Sequence, residues 1–298
     1  SEINAAPVFF PIPVAGRVGT VPATNFPGPF RLAFCRARVI IGVGIISVGS
    51  NRRTAGFAFI WVVVGHPRSM PEVISQLYKQ ITVSGPDAVE FLQGQLTQDV
   101  GKLADEGRLL AAWCNPKGRV IVVIQLFSLD NAIGMLVPSS MTETLVARLT
   151  MYRLRSKVDF EVGEPAAGAL NDDENDRAAL IRAGRAFIDD SNSEAFTPHM
   201  LNLDRLDAIS FSKGCYTGQE VVARTEHLGK SRRRMMRYEA DADGIGVGDK
   251  LSDGDHNVGD VVNVAGRDLL AVTPVDLHDQ PLSANGITVK PKGLPYPL

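Results

Sequence analysis

One thiol, Cys215, stands between two cations, Lys213 and Arg224, in the run Lys213-Gly214-Cys215-Tyr216-Thr217-Gly218-Gln219-Glu220-Val221-Val222-Ala223-Arg224. Gly214 and Gly218 allow a sharp bend and a close backbone approach on either side of it. From Gln219 onward the residues read as a helix, which sets the thiol near a helix N-terminus, where free amides and the macrodipole favour negative charge. With Lys213 and Arg224 adding to that field, the pattern is one that lowers a cysteine pKa below ~8.5 and yields a nucleophile, a redox centre or a metal ligand. The competing reading of the same residue is a small buried apolar side chain. Tyr216 completes the motif, and Gln219 and Glu220 either face a pocket from the helix start or only cap it.

Several elements must position this run. Tyr78 to Ser84 reads as a strand, and Gly85-Pro86-Asp87 opens a helix expected to continue through Val100, with proline in its first turn. Leu109 to Cys114, Val120 to Leu129 and Ile133 to Val137 are β-rich runs separated by Asn115-Pro116-Lys117-Gly118 and Asp130-Asn131, which predicts an antiparallel meander. Met141 to Tyr152 places Leu145, Val146, Leu149 and Tyr152 at helical spacing, and Lys157 to Val162 reads as a further strand. Beyond Arg237, short runs such as Gly259 to Ala265, Asp268 to Pro274 and Gly286 to Pro291 predict a small β-barrel. The fold class is α+β.

The chain has 298 residues and a net charge of -2, so no global attraction to nucleic acid is expected. Its three cysteines are odd in number and widely spaced, which argues for a reducing, cytoplasmic setting rather than a disulfide framework. Cys114 lies inside a β-rich run and reads as core. Residues 1–69 differ from the remainder, with seven arginines, no lysine and one acidic residue. The apolar runs Val39 to Gly49 and Ala55 to Gly65 fall short of the ~20 residues that span a bilayer, so no membrane helix is expected. The leader is expected to lie outside the fold, either as sequence upstream of a start at Met70 or as a targeting peptide. The basic run Arg232-Arg233-Arg234, flanked by Lys230 and Arg237, reads either as a weak tRNA or polyanion contact or as a solvated strand face.

Four ordered blocks carry a resemblance to a known family. They are Phe91 to Val100, Ala111-Ala112-Trp113-Cys114-Asn115-Pro116-Lys117-Gly118-Arg119, Phe196 to Arg224, and Leu294-Pro295-Tyr296-Pro297. Together they make the stretch from about Glu72 to Leu298 resemble the YgfZ family of folate-binding, iron-sulfur-related proteins. That resemblance implies ferredoxin-like mixed domains around a central folate pocket, with a C-terminal barrel. The corresponding domain reading is a leader over 1–69, an α+β domain over 70–165, a shortened middle segment over 166–230 and the barrel over 231–298.

The resemblance also implies tetrahydrofolate or a derivative as cofactor. Iron-sulfur enzymes or assembly proteins would be the partners, and the role would be support of cluster assembly or repair and thereby of tRNA modification. Cys215 would then be the functional thiol, with transient iron binding or redox chemistry, held ionised by Lys213 and Arg224. Tyr78 falls about where family members carry an aromatic that stacks on folate, while Asn115 and Lys117 either face the pocket or form the turn. YgfZ proteins are similar to the aminomethyltransferase of glycine cleavage, whose catalytic aspartate aligns here with Val122 or Val123. Neither valine can orient an amine or stabilise developing positive charge. Arg182, in Ile181-Arg182-Ala183-Gly184, replaces a pterin-binding glutamate and has only donors. The reading therefore favours an accessory factor over a tetrahydrofolate-dependent transferase, with a non-catalytic RNA or protein adaptor as the other alternative.

Overall fold

The computed structural model describes residues 39–46, 57–64, 77–170, 176–228 and 231–298. Contacts divide the chain into Ser1–Met70 and Pro71–Leu298. In the first unit the two apolar runs form antiparallel strands β1 (Val39–Ile46) and β2 (Phe57–Val64), registered from Val39 opposite Val64 to Ile46 opposite Phe57. The rest of the leader, and with it the expectation about its order, lies outside the described residues. Among the described residues no helix is long and apolar enough to cross a membrane.

The second unit opens with β3 (Tyr78–Ser84), α1 (Ala88–Gln93) and α2 (Leu103–Glu106). The meander β4 (Arg108–Cys114), β5 (Val120–Leu129) and β6 (Ala132–Pro138) follows, then α3 (Thr142–Arg153) and β7 (Asp159–Gly163). The five strands form one antiparallel sheet in the order β4-β5-β6-β3-β7. β5 lacks the polar-apolar alternation of a half-exposed strand because both faces of the sheet are covered. On one face Trp113, Val122, Ile124 and Leu126 pack against Phe91 and Leu92 of α1, Leu103 of α2, and Leu145 and Leu149 of α3. On the other, Ala112, Cys114 and Val120 meet a second core that includes Ile188, Leu203, Met235 and Leu270. The helix expected from Gly85 through Val100 is much shorter, since α1 stops at Gln93. Gly94 is its C-cap, and the carbonyls of Gln93, Leu96 and Gln98 bond to another partner described below.

After α4 (Arg177–Arg182), capped by the Asp176 carboxylate accepting from the Ala178 amide, a long irregular segment leads to α5 (Gln219–Leu228). The chain ends in β8 (Arg233–Ala240), β9 (Lys250–Ser252), β10 (Asn257–Ala265), β11 (Asp268–Pro274), β12 (Leu282–Ala284) and β13 (Ile287–Lys292). These close into the expected barrel in the order β10-β11-β8-β13-β12-β9, which leaves no free strand edge. The tail then returns to α4: Tyr296 Oη donates to Gly184 O at 2.7 Å and accepts from Asn202 Nδ2 at 3.3 Å. Gly184 has φ +65°, and a Cβ there would lie 2.8 Å from the Tyr296 ring, so the turn and the tail fit only with glycine.

Candidate functional site

The motif around Cys215 is a loop pressed onto the Asn115–Gly118 turn between β4 and β5. Gly218 has φ +83°, and a Cβ on it would stand 2.5 Å from Asn115 O and 3.2 Å from Cys114 Cβ. Gly118, at φ +68°, faces it; a Cβ there would meet Val221 Cβ at 2.8 Å. Two glycines thus let two backbones touch, and they join two of the sequence blocks into one site. Gly214 differs: no heavy atom lies within 4 Å of its would-be Cβ among the described residues, and its φ is not in the left-handed range. Cys215 itself is exposed, in irregular chain four residues ahead of Gln219, the first residue of α5. The buried reading of this thiol is thereby set aside, while Cys114 beneath the loop is buried and burial pushes its thiol up to about 12.

Lys213 does not serve the thiol. Its ammonium is buried and donates to Gln93 O at 2.7 Å, Leu96 O at 2.7 Å and Gln98 O at 3.0 Å. Gln93 O is the last carbonyl of α1 and the other two lie in the chain just beyond it, and together they take up all three donors of a lysine. Burial pulls the amine down to about 8, the charge of Asp99 acting the other way. The Tyr216 ring, whose centroid is 5.2 Å from the ammonium, covers it. Burial raises the Tyr216 phenol, with Cys114 adding to the effect. Thr97 fastens the same region, its hydroxyl donating to Ala208 O at 2.6 Å and accepting from the Ala112 amide at 2.8 Å. Arg224 is likewise engaged elsewhere, in an exposed pair with Glu220 at 2.9 Å one helical turn away. Glu220 therefore sits on the surface, and Gln219 is half-buried, its amide donating to Tyr216 O at 3.2 Å.

The four folate candidates do not converge. Tyr78 lines a cavity of only about 20 Å³ with Val123, Gln125, Leu180 and Phe187, against whose ring it stands edge-on at 5.3 Å. That volume suits about one water molecule. Arg182 is exposed at the end of α4 and pairs with Asp176 at 3.7 Å. Asn115 and Lys117 instead line an open cleft of about 390 Å³ on the other face of the sheet, with Trp113, Pro116, Ile121, Arg148, Met151, Tyr152 and Glu194. Glu194 holds the left-handed φ of +62°. Its carboxylate accepts from Asn115 Nδ2 at 2.7 Å and Arg148 Nη1 at 2.8 Å, and these bonds hold it below the usual carboxylate range. Trp113 lies in a resembling block and Tyr152 at helical spacing, but neither reads as a site residue from the sequence; Arg148 and Glu194 have no signal, since nothing in spacing ties Glu194 to a helix residue 46 positions away.

The basic run is spent on structure. Arg234 is buried and makes a two-pronged pair with Asp204 at 2.9 and 2.8 Å, Arg233 donates to Asp260 Oδ2 at 2.7 Å, and Arg237 to Asp268 Oδ1 at 2.8 Å. Of the described arginines in the run only Arg232 is exposed, which removes most of the expected polyanion surface. His199, Asp204 and Glu226 bring ligand atoms within 4.8 Å of one another. A metal ion there would face the Arg234 guanidinium, which already occupies both Asp204 oxygens.

Burial alone would raise Asp204, but the hydrogen bonds and charge of Arg234 outweigh it and hold the carboxyl below the usual range. A depressed folded-state pKa stabilises the fold above the unfolded value of ~3.9, and that stability is lost as pH falls through the folded value. Asp204→Asn is expected to cost about 3–5 kcal/mol, the penalty of stranding one member of a buried pair. Urea unfolding across acidic pH should show wild type losing stability more steeply than the variant.

This architecture has solved and curated counterparts. The aminomethyltransferase T of the glycine cleavage system from Bartonella henselae superposes with a TM-score of 0.54 at 15% identity, over 74% of this chain and 84% of that one. No family model matches the chain. A "tRNA-modifying protein YgfZ" from Pectobacterium atrosepticum is 29% identical over 218 residues, 52% of this chain and 66% of its own. An uncharacterized Haemophilus influenzae protein is 32% identical over 198 residues, covering 54% of this chain and 71% of that one. The chain belongs to the YgfZ family. The relation to the aminomethyltransferase fold, expected from the sequence, accompanies that membership. The chain spans just under two thirds, 66%, of the length of the Pectobacterium YgfZ protein.

Proposed function

We propose that this YgfZ protein is a folate-binding accessory factor that supports iron-sulfur cluster assembly or repair, and through it tRNA modification. The observation that carries the reading is the placement of Cys215: an exposed thiol on a loop locked by Gly118 and Gly218 onto the turn that walls the 390 Å³ cleft. The name of the curated relatives, tRNA-modifying proteins, and a fold shared with an aminomethyltransferase support it. The transferase reading is weaker, because Val122 is fully buried among apolar side chains and Val123 lines the small cavity, so neither site offers a carboxylate. The adaptor reading lost most of its basic surface to ion pairs.

The 390 Å³ cleft lies in the usual range for small-molecule sites and offers aromatic walls, an ionised carboxylate and two cations. When bound, the cofactor would carry a one-carbon unit or a redox-active ring. The chain's own residues would shield that ring, with Cys215 on the loop that packs against the Asn115–Gly118 turn and iron or a cluster arriving as cargo.

Cys215→Ala is expected to leave the melting temperature within about 2 °C, since the side chain is exposed and a surface change of this kind costs about 0.5 kcal/mol or less. It should lower cluster-enzyme activity in a complemented deletion strain about tenfold or more. Wild-type activity in that strain would remove the thiol from the proposal.

A further inference from the structure

We propose that the Phe187 ring is a gate between the small cavity lined by Tyr78 and an open hollow beside it, and that its rotation joins the two into one site for a flat heteroaromatic ring with a polar tail. This rests on the folate reading above and gives that ligand a route to the face of the sheet that carries Tyr78 and Val123.

The first support is the position of the ring. The hollow measures about 240 Å³, and its walls include Leu77, Pro138, Ser139, Arg177 and Asp189. Phe187 is the one residue that lines both this hollow and the cavity of about 20 Å³, so its side chain is the partition. The ring is flanked by Tyr78, edge-on at 5.3 Å, and by the Arg177 guanidinium, whose Cζ lies 4.7 Å from the ring centroid. Both are contacts that another aromatic ring can take over. The backbone, by contrast, is fixed: Phe187 N donates to Asn263 Oδ1 at 2.8 Å, and Phe187 O accepts from Asn263 Nδ2 at 2.7 Å and from Asn192 Nδ2 at 3.4 Å. Opening is thereby confined to a change of side-chain rotamer.

The second support is the unlike chemistry of the two chambers. Inside, Leu110, Val123, Leu136, Leu180 and Ile188 surround a polar pair in which Arg185 Nη2 donates to Gln125 Oε1 at 2.9 Å. Outside, the walls carry hydroxyls and charges: Arg177 pairs with Asp189 at 3.4 Å, and Ser139 Oγ is buried without a hydrogen-bond partner among the described residues. A hydroxyl of that kind at the mouth of a site is satisfied by a ligand or by water. An apolar chamber with an amide and a guanidinium on its wall, behind a polar mouth, suits a molecule with a flat ring at one end and a polar linker at the other. With the partition in place the chamber has room for about one water, so a ring enters only when Phe187 moves.

The test is stopped-flow mixing of the full chain with pterin and with folic acid, read by ligand fluorescence. For wild type the observed binding rate should level off as ligand is raised, because rotation of Phe187 sets the limit. Phe187→Leu keeps an apolar side chain but not the partition, so its rate should keep rising with concentration and exceed the wild-type plateau about tenfold or more. Phe187→Trp, a wider ring in the same space, should lower the plateau about tenfold. Melting curves establish that each variant is folded. Rates that rise in proportion to concentration for wild type, and match those of both variants, overturn the gate while leaving folate binding intact. Failure of wild type and both variants to bind either ligand would instead end the folate reading, and the gate with it.

Discussion

Gly218→Ala should destabilise the protein by about 3–5 kcal/mol and abolish its function in a complemented strain, although Gly214→Ala, four residues earlier, should leave stability within about 1 kcal/mol of wild type. The difference follows from backbone geometry. At Gly218 an alanine would pay about 1–2 kcal/mol for the left-handed conformation. Its Cβ would also stand 2.5 Å from a backbone oxygen and 3.1 Å from Gly118 Cα, so one of two packed backbones must move. At Gly214 neither condition holds. Denaturant unfolding of both variants checks the stabilities. Equal costs at the two positions would mean that the loop is not clamped to the Asn115–Gly118 turn as described.

Lys213→Met is expected to be about as severe. The change keeps the stem of the side chain but removes the three donors that hold Gln93 O, Leu96 O and Gln98 O. A buried acceptor without a partner costs about 1–3 kcal/mol. With some of the three recovering water or a bent bond, the total should be about 3 kcal/mol or more. The readout that separates this from a catalytic role is the alkylation rate of Cys215 in the folded protein at fixed pH. If Lys213 acts only through packing, Lys213→Met retains the wild-type rate under conditions where it is still folded. A rate that drops while the fold is intact would restore the ammonium as a partner of the thiol.

The contrast between those two expectations shows what the sequence could and could not tell. Turn-forming residues between β-rich runs located the meander and the barrel strands, while apolar spacing located α3. It overextended α1, since Leu96 and Val100 continue the apolar pattern in the core while their backbone has left the helix. Gly94 is the local C-cap of the helix, and Lys213, more than a hundred residues away, bonds the carbonyls at and beyond its end. For the site, the run around Cys215 was legible as a motif, and its union with the Asn115 turn was foreshadowed only by the glycines in both. Charge was misjudged at each cation of the motif: proximity in sequence suggested that Lys213 and Arg224 serve the thiol, whereas each is bound to nearer acceptors. The same held for Arg233, Arg234 and Arg237, whose partners lie 27, 30 and 31 residues away. Glu194 and Arg148 illustrate the remaining limit, because a carboxylate and a cation that meet only through tertiary packing leave no local pattern.

The Tyr296 phenol closes onto Gly184 O across 112 residues of chain. That carbonyl exchanges water for the phenol only once the segment after the barrel has folded back onto the turn after α4. The stretch from α4 to Asn202 is in this way tied at two points to the residues that follow the barrel.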